Sequence, residues 1–230
     1  MQDFQAESLS EFIRQTENYD LISDLVIFRG QVVKGNLLPS IARKNRKKDP
    51  IQKEEEVISQ LKLLGASFTD IVQATQLDLL VAAQHYGLKT RLLDWTSNPL
   101  AALWFACADT QPGDAYVYAL IADELLDKDV YTKDPFTTVR TRVFQPRLNN
   151  QRIVAQHGWF TLHPFSKKAN AFVPIDVNPD TKKHLTEIRI SSVKRGEILE
   201  SLDRHGISKR TLFPDLEGLC THLNWKYKLA

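Results

Sequence analysis

The chain is expected to fold as one α+β domain, and three observations carry that expectation. Short strand-like runs, at 24–30 (DLVIFRG), 115–121 (AYVYALI) and 185–190 (LTEIRI), are scattered among amphipathic helices. No internal repeat or low-complexity stretch divides the 230 residues, a length that suits one large domain. Strands interleaved irregularly with helices predict a mixed, mainly antiparallel sheet flanked by helices. The single domain is expected to span 1–230, with an N-terminal helix over about 7–19 and a core over about 24–223.

In chain order, Ser8 to Tyr19 reads as an amphipathic helix with Leu9, Phe12 and Ile13 on one face. The apolar centre of 24–30 reads as a buried strand ending in Arg29 and Gly30. A basic run follows at 43–48 (RKNRKK). A helix is expected from Glu54 to Phe68, its first turn rich in glutamate, which complements the helix dipole. Leu77 to His85 forms the next helix, and Gly87 can supply its positive-φ end. Asn98-Pro99 starts a helix apolar nearly all round, LAALWFACA, that should be buried. Beyond the strand at 115–121 the pattern is mixed as far as Leu148, with Pro135 and Pro146 as breakers. Residues 151–163 (QRIVAQHGWFTLH) read as two strand-like runs around Gly158. Lys167 to Lys183 reads as loop, with a short strand at 171–177. Ser192 can cap a helix from Val193 to His205 that Gly206 ends. A last helix after Phe213-Pro214 should turn Leu216, Leu219, Cys220 and Leu223 inward.

Composition excludes some classes. Hydrophobic and charged shares of 43% and 25% are those of an ordinary globular protein. A net charge of +2 implies no nucleic-acid or membrane partner by itself. The opening MQDFQAESLSEF has neither the basic nor the apolar region of a signal peptide, and no apolar run is long enough to cross a bilayer. Cys107 and Cys220 lie in apolar helical patterns and read as buried free thiols of a reducing compartment. A cytoplasmic protein without a membrane partner follows as the expectation.

No phosphate loop, dinucleotide fingerprint, nucleophile elbow or metal-ligand spacing is present, so no metal is expected. Polar residues concentrate in Gln84–Ala108, where His85, Tyr86, Arg91, Asp94, Thr96 and Ser97 lie between two apolar helices. A second cluster holds Gln151, Arg152, Gln156, His157 and Trp159. A charge at a strand end such as Arg29 is costly unless it is paired or faces a cleft. Arg29 and Arg91 offer planar forks to phosphate or carboxylate. Thr96 and Ser97 offer hydroxyls; Tyr86, Trp95 and Trp159 offer faces to a planar ring. Each has a plainer reading: a structural salt bridge for Arg29, an Arg91–Asp94 ion pair holding the loop, core packing for Tyr86 and Trp95, helix capping for Thr96 and Ser97.

The segments IFRGQ at 27–31, LLPSIAR at 37–43, AAQHYGLKTRLLDWTSNPLAALWFA at 82–106 and QRIVAQHGWFTLH at 151–163 resemble the FRG-domain family, as does LFPDLEGLCTHL at 212–223. Lys89 departs from the proline common there. A second resemblance is to arginine-type ADP-ribosyltransferases, and it implies a split sheet. It places Arg29 and Gly30 in the strand that contacts NAD, and Thr96 and Ser97 in the hydroxyl positions. With these, Gln84, Tyr86 and Arg91 are the ligand-binding candidates. The later catalytic glutamate has no match: Gln151 and Gln156 stand there instead. Gln156, Asp94 and His85 are therefore the catalytic candidates, with Asp94 the carboxylate nearest the motif.

Three functions stay open. The first is an NAD-using ADP-ribosyltransferase-like enzyme or NAD glycohydrolase, a toxin or phage-defence effector with a protein or nucleic-acid target. The second is a non-catalytic nucleotide- or nucleic-acid-binding module that also uses the 43–48 loop. The third is an interaction domain whose polar stretch builds the fold.

Overall fold

The computed structural model describes residues 2–67, 73–147 and 150–229. Seven strands form one sheet: β1 (Gln2–Ala6), β2 (Val26–Gln31), β3 (Leu92–Thr96), β4 (Ala115–Ile121), β5 (Arg142–Phe144), β6 (Gly158–Leu162) and β7 (Leu185–Ile190). Their order is β1-β7-β4-β2-β3-β6-β5, and only the β1–β7 pairing is parallel. The α+β class and the mainly antiparallel sheet are as expected. The edge strand β1 is an addition, because its sequence QDFQA carries no strand signal until β7 lies beside it.

The helices are α1 (Leu9–Glu17), α2 (Ile51–Leu64), α3 (Gln76–His85), α4 (Pro99–Ala108), α5 (Gln151–Ala155), α6 (Pro179–Lys182), α7 (Arg195–Arg204), α8 (Lys209–Leu212) and α9 (Leu216–Lys226). Local chemistry sets several ends. The Ser8 hydroxyl accepts from the Glu11 N–H at 3.2 Å to start α1. Thr75 and Asp78 form a reciprocal capping box on α3. The Asn98 side chain accepts from Leu100 and Ala101, and Pro99 follows at the first turn of α4. Gly87, at φ +88°, turns the chain after α3 as expected.

Several sequence expectations are corrected. α2 starts at Ile51 and ends at Leu64; Phe68 and Leu148 lie outside the described residues. Residues 151–155 are a helical turn, not a strand: the Asn150 side chain caps it by accepting from Arg152 N–H. No strand forms at 171–177, where Ala171 makes only an isolated bridge to Ser166, and α6 follows. Residues 192–194 form a 3₁₀ turn and α7 begins at Arg195, with Lys194 rather than Ser192 at the cap position. On α9 the inward residues are Gly218 and His222, while Leu216, Leu219, Cys220 and Leu223 face outward. Gly218 decides this orientation: a Cβ there would sit 2.0 Å from the Phe213 carbonyl oxygen. Cys107 is buried as expected, and burial pushes its thiol up to about 12 although Arg195 opposes the shift. No helix among the described residues is long and apolar enough to cross a membrane.

The core explains where a cleft must open. On one face of the sheet a single apolar cluster runs from Leu185 and Tyr118 through Ile27 to Leu93, Trp95 and Val143, crossing β7, β4, β2, β3 and β5. On the other face the core breaks in two. One part packs α1, α4 and α7 on Phe28, Val117 and Ile188; the other packs α2 and α3 on Leu92, Phe144 and Phe160. The break follows the seam between β2 and β3, which pair only at Phe28 and Thr96. Beyond that bridge the strands part and the sheet is split.

Gly30 sits at the seam and touches α4. A Cβ on it would meet the Ala102 carbonyl oxygen at 1.8 Å and the Ala106 nitrogen at 2.6 Å. Backbone packs directly on backbone here, which ties the strand motif IFRG to the alanine-rich helix that follows Asn98. Gly30→Ala is expected to cost about 3 kcal/mol or more, because a closely packed interior cannot absorb the added carbon without moving the helix. Urea unfolding checks this; a loss below about 1 kcal/mol would mean α4 can shift freely.

Candidate functional site

A cleft of about 350 Å³ occupies the seam, lined by β2, the end of α3, β3, α4, α5 and the turn after α8. Phe28, Arg29, Asp94 and Thr96 line it from the strands, Gln84 and His85 from α3, Phe105 from α4, Arg152 from α5, with Gln156 just after α5 and Phe213 just after α8.

Arg29 leaves the sheet on the side of the continuous core and spans the gap. Its Nη1 donates to the Asp94 carbonyl oxygen at 2.7 Å and lies 3.9 Å from the Asp94 carboxylate. Its Nε donates to the Gln31 side chain at 3.2 Å, and Gln31 in turn donates to the carbonyls of Val33 and Gly35. The guanidinium is mostly buried, with the side chain 15% exposed. Burial pushes its pKa down to about 10, Asp94 opposes the shift and Arg43 adds to it, so it stays cationic at neutral pH.

Asp94 is the one carboxylate among the cleft-lining residues. Its side chain is 55% exposed. Oδ2 accepts from the Gln84 amide at 2.9 Å, and Gln84 is held in turn by the Thr90 hydroxyl at 2.8 Å. His85 is half-buried; burial, then Arg152, lowers its pKa against the pull of Asp94, which favours the neutral ring. Arg152 donates through Nε and Nη2 to Asp215 and stacks 5.4 Å from the Phe213 ring centre. Lys209 lies over the same ring at 3.6 Å.

The structure thus gathers Arg29, Gly30, Gln84, His85, Asp94, Thr96 and Gln156 at one cleft. It separates three others. Arg91 is fully buried, with Nε donating to Glu54 at 2.9 Å and the Glu54 carboxylate also accepting from its backbone N–H at 2.8 Å. It pairs with Glu54, not with Asp94, and cannot reach a ligand. Tyr86 points away and is 75% exposed. Ser97 is exposed and borders a different depression, beside Asn98 and α1. Thr96 stays at the cleft, but its hydroxyl also accepts the Asn98 N–H at 2.9 Å, the capping duty. Gln156 spends its amide N–H on the Leu212 carbonyl at 3.0 Å. Trp95 is core, donating to Thr161 at 3.0 Å.

Phe105 and Phe213 are walls that the sequence pattern did not mark, whereas Arg152 belongs to the second polar cluster, though not to the candidate ligand-binding residues. Phe105 was hidden in an apolar helix, and Phe213 comes from a helix pair far along the chain. Among the described residues no group of three or more His, Cys, Asp or Glu side chains could hold a metal.

Fold and cleft together define an α+β protein whose split sheet carries an arginine-bridged polar cleft. The family model for the FRG domain matches residues 24–115, from just before β2 to the start of β4. The match contains Arg29 and all of Gln84–Ala108, and ends before Arg152, Gln156 and Phe213. No curated protein and no solved structure matches the chain.

Proposed function

We propose that the cleft binds a nucleotide, and that NAD is the substrate it cleaves, with transfer of ADP-ribose to water or to a target. The observation that carries this reading is the convergence of two guanidinium groups, one carboxylate and the aromatic wall of Phe105 and Phe213 on a cavity of about 350 Å³. Ligand pockets of roughly 300–1,000 Å³ are usual, so this one is sized for about one nucleotide moiety. Arg29 and Arg152 suit phosphate oxygens, and the apolar wall of Phe105 and Phe213 suits a planar ring.

In the reaction the glycosidic C–N bond breaks and its electron pair leaves with nicotinamide. Positive charge develops at the ribose carbon, and Asp94 is the carboxylate available to stabilise it. Neutral His85 is the group available to take the proton of the attacking water or hydroxyl. Asp94→Asn is expected to lower nicotinamide release by about 10²–10³-fold, as for loss of one oriented electrostatic stabiliser. Chromatographic assay of nicotinamide over hours checks this; equal rates in both proteins would remove Asp94 from the chemistry.

One observation favours a second reading, binding without turnover. The position after the α5 turn carries a neutral glutamine whose N–H is already engaged. Calorimetric titration with ADP-ribose and AMP separates the two: binding weakened by Arg152→Gln, with no nicotinamide released from NAD by the parent protein, selects the non-catalytic module.

A further inference from the structure

We propose that a basic face beside the cleft docks the phosphate backbone of a single-stranded nucleic acid and presents an unstacked base to the cleft. The proposal deepens the nucleotide reading, on which the placing of the base rests.

Two segments far apart in sequence build this face. The first is 43–48, carrying Arg43, Lys44, Arg46, Lys47 and Lys48; the second is the tight loop holding Lys167 and Lys168. The second loop is closed by reciprocal backbone hydrogen bonds between Ser166 and Ala171, at 3.0 and 3.2 Å. The Phe172 N–H donates to the Arg46 carbonyl at 2.8 Å and locks the loops together. Beneath them Leu38, Ala42 and Phe172 form a small apolar cluster with Ile41 and Phe165. The cations therefore stand on a fixed base.

All of these side chains are exposed, and among the described residues none forms a salt bridge. Asp49 is the one acidic residue within 43–49, and 164–173 contains none. On a chain with a net charge of only +2, this is a local concentration of unpaired cations. Arg147 and Arg189, also exposed, are held by carboxylates, and the other exposed cations without a salt bridge, such as Lys62, Lys128 and Arg204, stand singly in the sequence rather than in a cluster.

The face is tied to the cleft. The Ile41 N–H donates to the Thr90 carbonyl at 3.2 Å, and Ser40 Oγ accepts from the Thr90 N–H at 3.1 Å. The Thr90 hydroxyl then holds Gln84, which lines the cleft. A polymer whose phosphates lie on the lysines has aromatic faces and two arginines next to it. A single strand fits best, since a base in a paired helix cannot enter a pocket until it is unstacked.

The test is fluorescence anisotropy of the full chain with a labelled 12-nucleotide RNA, its DNA counterpart and the duplex, from 50 to 200 mM salt. Contacts to five phosphates predict a log–log slope of about −3.5 and roughly 10²-fold weaker binding across that range. In Lys44→Ala/Lys47→Ala/Lys48→Ala the slope should fall by about 2, with thermal stability unchanged. AMP and ADP-ribose titrations on the same proteins separate the two readings. Oligonucleotide binding with the expected slope but no mononucleotide binding keeps the docking face and removes the cleft reading. Mononucleotide binding with no gain for the 12-mer overturns the docking face alone. So do a slope unchanged in the triple variant, preference for the duplex, or equal competition by polyglutamate or anionic lipid vesicles.

Discussion

Arg91→Leu is expected to destabilise the protein by about 3–5 kcal/mol, enough to remove much of a typical domain's stability. The reason is what stays behind. Glu54 is itself buried, accepting from both the Arg91 side chain and its backbone N–H. Burial raises its pKa and Arg91 is the first group that opposes this shift. Without the guanidinium, a buried carboxylate must ionise unpaired or take up a proton. Arg91 also donates to the carbonyls of Pro135 and Phe136, each at 3.4 Å, and stacks 4.7 Å from the Phe136 ring centre. One side chain therefore ties α2, β3 and the 135–137 turn into one unit. Urea unfolding of Arg91→Leu and of Arg91→Leu/Glu54→Leu checks the cause: the double variant should recover at least half of the loss. If the double variant is the weaker protein, the packing around the pair matters more than its charge.

Acid is expected to destabilise the fold through His163. This residue is 1% exposed, its Nε2 lies 2.9 Å from the Thr161 hydroxyl, and that hydroxyl also receives the Trp95 N–H. Burial, then the charges of Arg29 and Arg91, push its pKa down to about 3. An unfolded histidine takes its proton near pH 6.5. Between those values the unfolded chain binds a proton that the folded one refuses, so stability falls as pH falls. The slope is about 1.4 kcal/mol per pH unit, or about 3 kcal/mol between pH 6.5 and 4, and the contribution is fully present above pH 6.5. Urea unfolding at a series of pH values should show this loss in the parent and a flatter curve in His163→Gln. Parallel curves would assign acid sensitivity to other groups.

Much of the fold was legible because local pattern and tertiary need agree there. β4 and β7 fall on the runs read as strands, and α4 starts at the Asn98-Pro99 signal. Where they disagree, the reading failed for identifiable reasons. Ile153 and Val154 favour a strand, yet the Asn150 cap and the short turn to β6 make a helix. On α9 the leucines read as a core stripe, but Gly218 is what α9 must press against Phe213, so the leucines face outward. The cleft was half legible for the same cause. Arg29, Asp94 and Thr96 lie in motifs dense with polar residues. Arg91 shares that density, but its partner is Glu54, which sequence proximity to Asp94 obscures. Phe105 and Phe213 become walls only because α4 and the end of α8 converge on the cleft, a long-range outcome that no local pattern records, and the polar cluster around Arg152 did not show that it meets Arg29.

The single bridge between β2 and β3 has a consequence for any mutational survey of the cleft. Beyond Phe28 and Thr96 the facing edges of these strands lack each other as partners, and Arg29 occupies only one carbonyl among them. Main-chain N–H and C=O groups are strong, obligatory donors and acceptors. Along the seam they form part of the cleft's surface, and no change of side chain deletes them. A residue replaced there by alanine keeps its peptide group at the cleft. The divergence of two strands thus leaves polar main chain at the cleft, and only substitutions that move the backbone, at Gly30 above all, would alter it.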